Sequence, residues 1–383
     1  MTGLIGLIIA LIIFFTRFLL SPLGLGRAPS KVLGQQFFKD KAADLSFLTL
    51  LIDGEQAFGT IFNSIENAKR NVFIQAFIWR DDATGNRMVK QVIKATASGA
   101  FVTIRKDLLG SYFEIKDMIK GKPSPVFANS VMRGHGAIRI ITNLFDSSDH
   151  SKYYIVDREK IILGGMNIAL EYRNEMHDYM VMVNDLTVVM AMERKLIGDG
   201  AYMPKTPGLF LATNNHRKCE IITAYLEMIR NAKERVILQH AYFSDREIIS
   251  TIIEVARHGI QVDVIIPKSP DVNVYANLIS INVLLGSSAA CNINVWLYPG
   301  SIHAKVGLAD GKVAAVGSAN FTHRSMRRNR ELTLFVHGSP EETFISDLST
   351  QMEIDIKSSE LIKTPVNLST KERLLALYDY AVW

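Results

Sequence analysis

Two short stretches place an imidazole and an amine two residues apart: His150-Ser151-Lys152 and His303-Ala304-Lys305. Each runs on to an aspartate, Asp157 or Asp310, in the pattern H-x-K-x-x-x-x-D. The offset that carries His150 to His303 also carries Gly164 to Gly317, Asn167 to Asn320 and Asp178 to Glu331. A single His-x-Lys is usually a solvated surface pair. Chemically matched positions at one offset point instead to an internal duplication whose copies share a task.

Phosphodiester cleavage needs a nucleophile, a proton for the leaving oxygen, and positive donors around the non-bridging oxygens. Imidazole can fill either of the first two roles near neutral pH. With two histidines, one attacks phosphorus to form a covalent phosphohistidine. The other protonates the leaving alcohol and then deprotonates the incoming water or alcohol. Lys152 and Lys305 suit the phosphate as point charges, and Asn167 and Asn320 can donate amide hydrogens to the same oxygens. Asp178 and Glu331 can accept a hydrogen bond from the far nitrogen of each histidine, fixing its tautomer and orientation. The expected catalytic set is therefore His150, Lys152, Asn167, Asp178, His303, Lys305, Asn320 and Glu331, with no metal and no cofactor in the scheme. Asp157 and Asp310 sit at strand-end turns, where aspartate is common for local reasons, and are read as structural. His177 precedes Asp178 and lies within reach of the site. His135, His216, His240, His258, His323 and His337 have no repeat partners of the same kind.

The elements that must position these residues repeat as well. Residues 66–75 (ENAKRNVFIQ) resemble residues 230–239 (RNAKERVILQ), each ending a helical pattern and entering an apolar strand. A second helical pattern follows, then a glycine suited to a helix C-cap (Gly99 or Gly259), then another strand. Strand, helix, strand in that order predicts a βαβ unit with a partly parallel sheet. In the motif strand, alternation puts His150 and Lys152 on one face with Tyr154 and Val156, and Tyr153 and Ile155 on the other. Turns at Asp157-Arg158-Glu159 and Asp310-Gly311 predict hairpins whose return strands bring Asn167 and Asn320 back beside the histidines.

The chain has 383 residues and 48% hydrophobic content, which suits two globular domains, expected at 40–205 and 206–383. A net charge of +5 fits an anionic partner, phospholipid or nucleic acid, without separating them. Cys219 and Cys291 are too few for a disulfide framework and are expected as buried thiols. Residues 3–20 are almost wholly apolar, just enough to span a bilayer, and Pro22, Gly24 and Gly26 then end the helix. A cleaved signal peptide would call for a basic stretch before the apolar run, which Met1-Thr2-Gly3 does not supply. Residues 1–26 are thus read as an uncleaved anchor and linker. Arg27, Lys31, Lys39 and Lys41 then put the rest of the chain on the cytoplasmic side.

The paired motif with its glycine and asparagine followers resembles the phospholipase D superfamily over residues 48–337, and within it the bacterial cardiolipin synthases. The residues that carry the closer resemblance are Gly164-Gly165-Met166-Asn167 with Glu171-Tyr172, Gln239-His240-Ala241-Tyr242-Phe243, and Gly317-Ser318-Ala319-Asn320-Phe321 with Arg324-Ser325 and Asn329-Arg330-Glu331. The resemblance implies two α/β domains, each a mixed sheet flanked by helices, related by a pseudo-twofold axis with one active site between them. It implies a membrane phosphatidyltransferase or phospholipase D acting on phospholipid, with His150 as nucleophile. On that reading Tyr242, Phe243 and Phe321 either line an acyl-chain path or belong to the core. The alternative is a nuclease of the same superfamily, for which Arg324, Arg327, Arg328 and Arg330 offer a short basic cluster. A non-catalytic binding protein on the same scaffold would not need both histidines, both lysines and both asparagines.

Overall fold

The computed structural model describes residues 44–108, 110–143, 148–198, 206–214, 218–270 and 272–382. The apolar run at residues 3–20, the basic residues that follow it and His216 lie outside them. Among the described residues no helix is long and apolar enough to cross a membrane.

The first copy builds strands β1 (Leu48–Ile52), β2 (Asn71–Ala76), β3 (Phe101–Asp107), β4 (Ile138–Asn143), β5 (Lys152–Val156), β6 (Lys160–Gly164), β7 (Met176–His177) and β8 (Tyr179–Val183). The second builds β9 (Leu209–Asn214), β10 (Arg235–His240), β11 (Gln261–Pro267), β12 (Ile293–Tyr298), β13 (Ser301–Ile302), β14 (Lys305–Ala309), β15 (Val313–Gly317), β16 (Glu331–His337) and β17 (Glu360–Ile362). The first sheet runs β1-β8-β6-β5-β2-β3-β4. The second reproduces that order as β9-β16-β15-β14-β10-β11-β12, with β17 added at the edge. In each, three strands entered through helices are parallel and the hairpin strands are antiparallel. The chain therefore forms two mixed α/β domains, as the repeat implied. Gly99 and Gly259 end their helices at φ +95° and +91°, the left-handed conformation a C-cap asks of glycine.

The sheets face each other across a buried apolar layer. Ile155, Leu163 and Val181 of the first meet Val306, Leu308, Val316 and Leu334 of the second. Their outer faces are covered by helices. Ala57, Phe58, Ile61, Phe62 and Ile65, at helical spacing on Asp53–Glu66, cover the first. Ile248, Ile249, Ile252, Val255 and Ala256 on Arg246–Arg257 cover the second. In β5 the alternation holds: Tyr154 and Val156 face the helices, Tyr153 and Ile155 the opposing sheet. Phe243 and Phe321 are core residues of the second domain. Of the cysteines, Cys219 is buried but Cys291 is exposed, against expectation. It sits in a short 3-10 turn none of whose residues is buried.

Asp157 and Asp310 tie each motif hairpin to the strand beside it. Asp157 accepts the backbone N–H groups of Lys69, Arg70 and Asn71 at 2.7–2.9 Å. Asp310 accepts those of Lys233, Glu234 and Arg235 at 2.8–3.0 Å. Both aspartates take φ +53°, and the next residues, Arg158 and Gly311, are also left-handed. Two successive positive φ values give the twist a tight antiparallel hairpin needs. Burial alone would raise the Asp157 carboxyl, but the three amides outweigh it and hold it below its usual range. Asp157→Ala would leave three amides without an acceptor. We expect it to cost about 2–3 kcal/mol, seen as a lower urea midpoint, with turnover per folded molecule unchanged. An unaltered midpoint would show that the clamp contributes nothing.

Candidate active site

His150 precedes β5 and His303 precedes β14, at matching ends of the two sheets. The return strands β6 and β15 end at Gly164 and Gly317, where the neighbouring strand comes too close for a side chain. A Cβ at Gly164 would lie 2.4 Å from the Tyr179 carbonyl oxygen, and one at Gly317 2.3 Å from that of Leu332. Beyond these glycines the chain turns Asn167 and Asn320 inward, and both are buried. Asn167 Oδ1 accepts the Ile78 N–H at 3.2 Å, which leaves its NH2 group to donate elsewhere. Asn320 Oδ1 is buried with no hydrogen-bond partner among the described residues.

The acids cross between copies. His150 Nδ1 lies 3.0 and 3.1 Å from the two oxygens of Glu331, and His303 Nδ1 lies 2.7 Å from Asp178 Oδ2. The backbone crosses in the same way. The N–H of His150 donates to the Arg330 carbonyl at 2.9 Å, and that of His303 to the His177 carbonyl at 2.8 Å. Each histidine is thus held, through ring and backbone, by the acid of the other copy and the residue before it. The sequence offset matches each acid with the histidine of its own copy, so the exchange could not be read from it.

Both lysines are buried. Lys152 Nζ donates to the His150 carbonyl at 2.5 Å and lies 5.0 Å from the centre of the Phe77 ring. Lys305 Nζ donates to the His303 carbonyl and lies 2.8 Å from His303 Nδ1. Two aromatic rings stand edge-on to the imidazoles, Phe77 against His150 at 4.6 Å and Tyr172 against His303 at 4.8 Å. The repeat comparison marks no role for Phe77, because the matching position in the second copy is Ala241.

The two acids sit in different surroundings. Ser318 donates its hydroxyl to Glu331 at 2.5 Å. Its counterpart is Gly165, where a Cβ would lie 2.6 Å from Asp178 Oδ2. A serine hydroxyl goes with the longer acid, and bare space with the shorter. Burial alone would raise Glu331, but His150, Lys152 and Ser318 outweigh it and hold it below its usual range. Burial pushes Asp178 up to about 6, only partly offset by Lys305. Burial pushes His150 down to about 4 against the pull of Glu331, and Lys152 down to about 7. His150 is then neutral near pH 7, with its Nδ1–H turned to an ionised Glu331 and its Nε2 lone pair available.

Other expected positions fall outside this cluster. His177 is buried behind Asp178 and bonds to Asp53 and Asp355. His240 is buried and stacks on Phe321 at 3.5 Å. Of the arginine cluster, Arg327 is paired with Asp245 and Glu247. No group of three or more metal-ligating side chains occurs among the described residues.

A family model described as cardiolipin synthase, PLD-like domain, matches residues 61–199 and 225–356. The chain belongs to this phospholipase D-like family. It is 29% identical over 335 residues to cardiolipin synthase A of Pseudomonas syringae pv. syringae, covering 79% of this chain and 66% of that protein. It is 26% identical over 343 residues to the cardiolipin synthase of Listeria monocytogenes, covering 78% and 68%. The chain thus spans about two thirds of the length of these relatives. Among solved structures it resembles the phosphatidylserine synthase of Haemophilus influenzae, with a TM-score of 0.70 over 90% of this chain and 96% of that one. At 12% identity, that likeness speaks for the fold alone.

The crossed pairing has a direct spectroscopic consequence. In protein labelled with nitrogen-15 at histidine, Glu331→Gln should move the ring-nitrogen resonances of His150, and Asp178→Asn those of His303. The opposite assignment would mean that each acid serves its own copy.

Proposed function

We propose that the chain is a phosphatidyltransferase that breaks and remakes phospholipid phosphodiesters through a phosphohistidine on His150. The observation that carries this reading is the crossed His150–Glu331 and His303–Asp178 arrangement beside two buried lysines. The cardiolipin synthase relatives and the family model support phospholipid as the substrate class.

In the proposed cycle, His150 Nε2 attacks the phosphorus of the donor lipid while its Nδ1–H stays on Glu331. The bond from phosphorus to the leaving oxygen breaks, and His303 delivers the proton that oxygen needs. A carboxyl raised to about 6 beside His303 lets that pair hold a proton near neutral pH. In the second half His303 takes the proton of the incoming alcohol, whose oxygen displaces His150 from phosphorus. Lys152, Lys305, Asn167 and Asn320 surround the non-bridging oxygens. The steps use side chains alone, without a metal or cofactor.

Single His150→Ala and His303→Ala variants should each lose turnover, and the double variant should be no worse, since the two act on one phosphorus. His303→Ala should still form the covalent adduct with a lipid ester whose leaving group needs no proton, detectable by mass on His150. His150→Ala should give none. An adduct on residue 303 would exchange the roles.

Transfer to a lipid alcohol requires a site that keeps bulk water out. The apolar residues 3–20 are proposed to anchor the chain in the bilayer, with the catalytic domains on the cytoplasmic side. Full-length protein in vesicles of phosphatidylglycerol should then transfer more than it hydrolyses, and deleting residues 1–26 should shift products toward phosphatidic acid. Thin-layer separation of labelled products measures the ratio. Phosphatidic acid as the sole product would leave a plain phospholipase. Indifference to lipid with cleavage of single-stranded DNA would favour the nuclease reading.

A further inference from the structure

His177 stands directly before Asp178 but turns into a buried charged cluster. Its Nδ1 lies 2.6 Å from Asp53 Oδ1, and its Nε2 lies 2.9 Å from Asp355 Oδ2. The Tyr179 hydroxyl also lies 3.0 Å from Nε2, and a carboxylate at each ring nitrogen favours both nitrogens donating, as an imidazolium does. Asp355 Oδ2 also accepts from Tyr179 Oη at 3.0 Å and Gln239 Nε2 at 2.9 Å, and Gln351 Nε2 donates to Asp355 Oδ1 at 2.9 Å. Tyr298 stacks on the imidazole at 5.6 Å. The charged and titratable groups that meet His177 are therefore Asp53, Asp355, Tyr179 and Tyr298, with Asp178 next in the chain. Burial alone would lower His177, but Asp355 and Asp53 outweigh it and raise it to about 9.

The cluster joins three parts of the fold. Asp53 opens the first helix of the first domain, at φ +61°. Asp355 lies on the helix Thr343–Ser358 and Gln239 on β10, both in the second domain. The backbone on either side of the same peptide is bonded too. The His177 carbonyl takes the His303 N–H at 2.8 Å, and the Asp178 carbonyl takes the Asp53 N–H at 2.9 Å. A left-handed aspartate persists only where its surroundings over-determine it, and here its side chain and its N–H are both engaged.

We propose that Asp53, His177 and Asp355 act as a positioning triad. It fixes the 177–178 peptide from both domains, and so sets the Asp178 carboxylate against His303 without touching substrate. The proposal rests on the reading of His303 as the proton donor, and its effect should appear in the step that donor serves. A misplaced Asp178 should hinder proton delivery to a leaving alcohol. It should matter little when the leaving group is nitrophenolate, which departs as a stable anion.

The test compares phosphatidylglycerol with phosphatidyl-p-nitrophenol, in the same detergent micelles, for full-length wild type, Asp355→Asn, Asp53→Asn and His303→Ala. Both triad variants should lower kcat on phosphatidylglycerol roughly tenfold to a hundredfold, with KM unchanged. They should leave the first turnover of the nitrophenyl ester close to wild type. His303→Ala should show the same preference more strongly. Equal losses of the triad variants on both esters would mean a general structural defect, and no loss on either would mean an idle cluster. Either result overturns the triad while His303→Ala keeps its preference and the catalytic reading stands. If His303→Ala itself slows both esters alike, the catalytic reading fails and the triad's role falls with it. Should Asp355→Asn fail to fold, Asp53→Asn carries the test, since the Asp53 side chain is 55% exposed.

Discussion

Everything in this molecule depends on the exchange of acids between its halves. Glu331 is buried, and its ring-nitrogen donor is His150 from the other domain. Asp178 stands in the same relation to His303. A buried carboxylate deprived of its partner is strongly unfavourable. Neither half can therefore hold its own acid comfortably, and neither histidine is oriented without the opposite half. The apolar layer between the sheets, the short β7–β13 ladder and the bridge from Asp149 to Arg330 keep the halves in register. A shift of one residue along either contact would separate a histidine from its acid. The apolar layer around these polar side chains supplies that register.

The pseudo-symmetry is broken where the chemistry must be. Two identical histidines with identical acids would titrate alike, and neither would be marked as attacker or proton donor. The change from Gly165 to Ser318 accompanies the change from Asp178 to Glu331. The Ser318 hydroxyl donates to one carboxylate, while the bare glycine leaves the other room without a hydroxyl, and Asp178 accepts the Tyr179 N–H at 2.8 Å instead. One acid is held ionised and the other is pushed up to about 6. A difference of a few atoms thus separates the proton affinities of two otherwise equivalent pairs. Phe77 against His150 and Tyr172 against His303 add a second difference, in shape, on the two sides of the phosphate position.

Much of this was legible in the sequence because duplication acts as an internal control. The paired H-x-K motifs, their asparagines and the turn aspartates recur at one offset, and the cap glycines recur at a nearby one; chance seldom repeats itself so consistently. What remained hidden is what the duplication does not repeat. Phe77 faces Ala241 across the repeat, and His177 faces Arg330, so neither comparison raises a signal. The crossing of the acids is invisible for a related reason: an alignment of the copies pairs residues by position, and the exchange is a property of how two surfaces meet. Cys291 shows a simpler limit. A small apolar residue is usually buried, but here a 3-10 turn carries it to the surface, and composition holds no record of that turn.

The balance of charge around the histidines bears on how the proposed cycle would start. Lys152 and Lys305 bring two positive charges, and Asp178 and Glu331 bring two negative ones when ionised. With both histidines neutral, the empty cluster is balanced. A phosphodiester adds one negative charge to a buried site, where the mutual influence of charges is strong. Nearby negative charge favours the protonated form of imidazole and of amine. Substrate therefore keeps Lys152 charged, although burial alone pushes it down to about 7. In the proposed cycle it would also favour a proton on the His303–Asp178 pair, where burial has already raised the carboxyl to about 6. His150 is held neutral by burial, which outweighs the pull of Glu331, as the proposed attack requires. On the proposed mechanism, the arriving phosphodiester would itself favour protonation of the pair that supplies the proton.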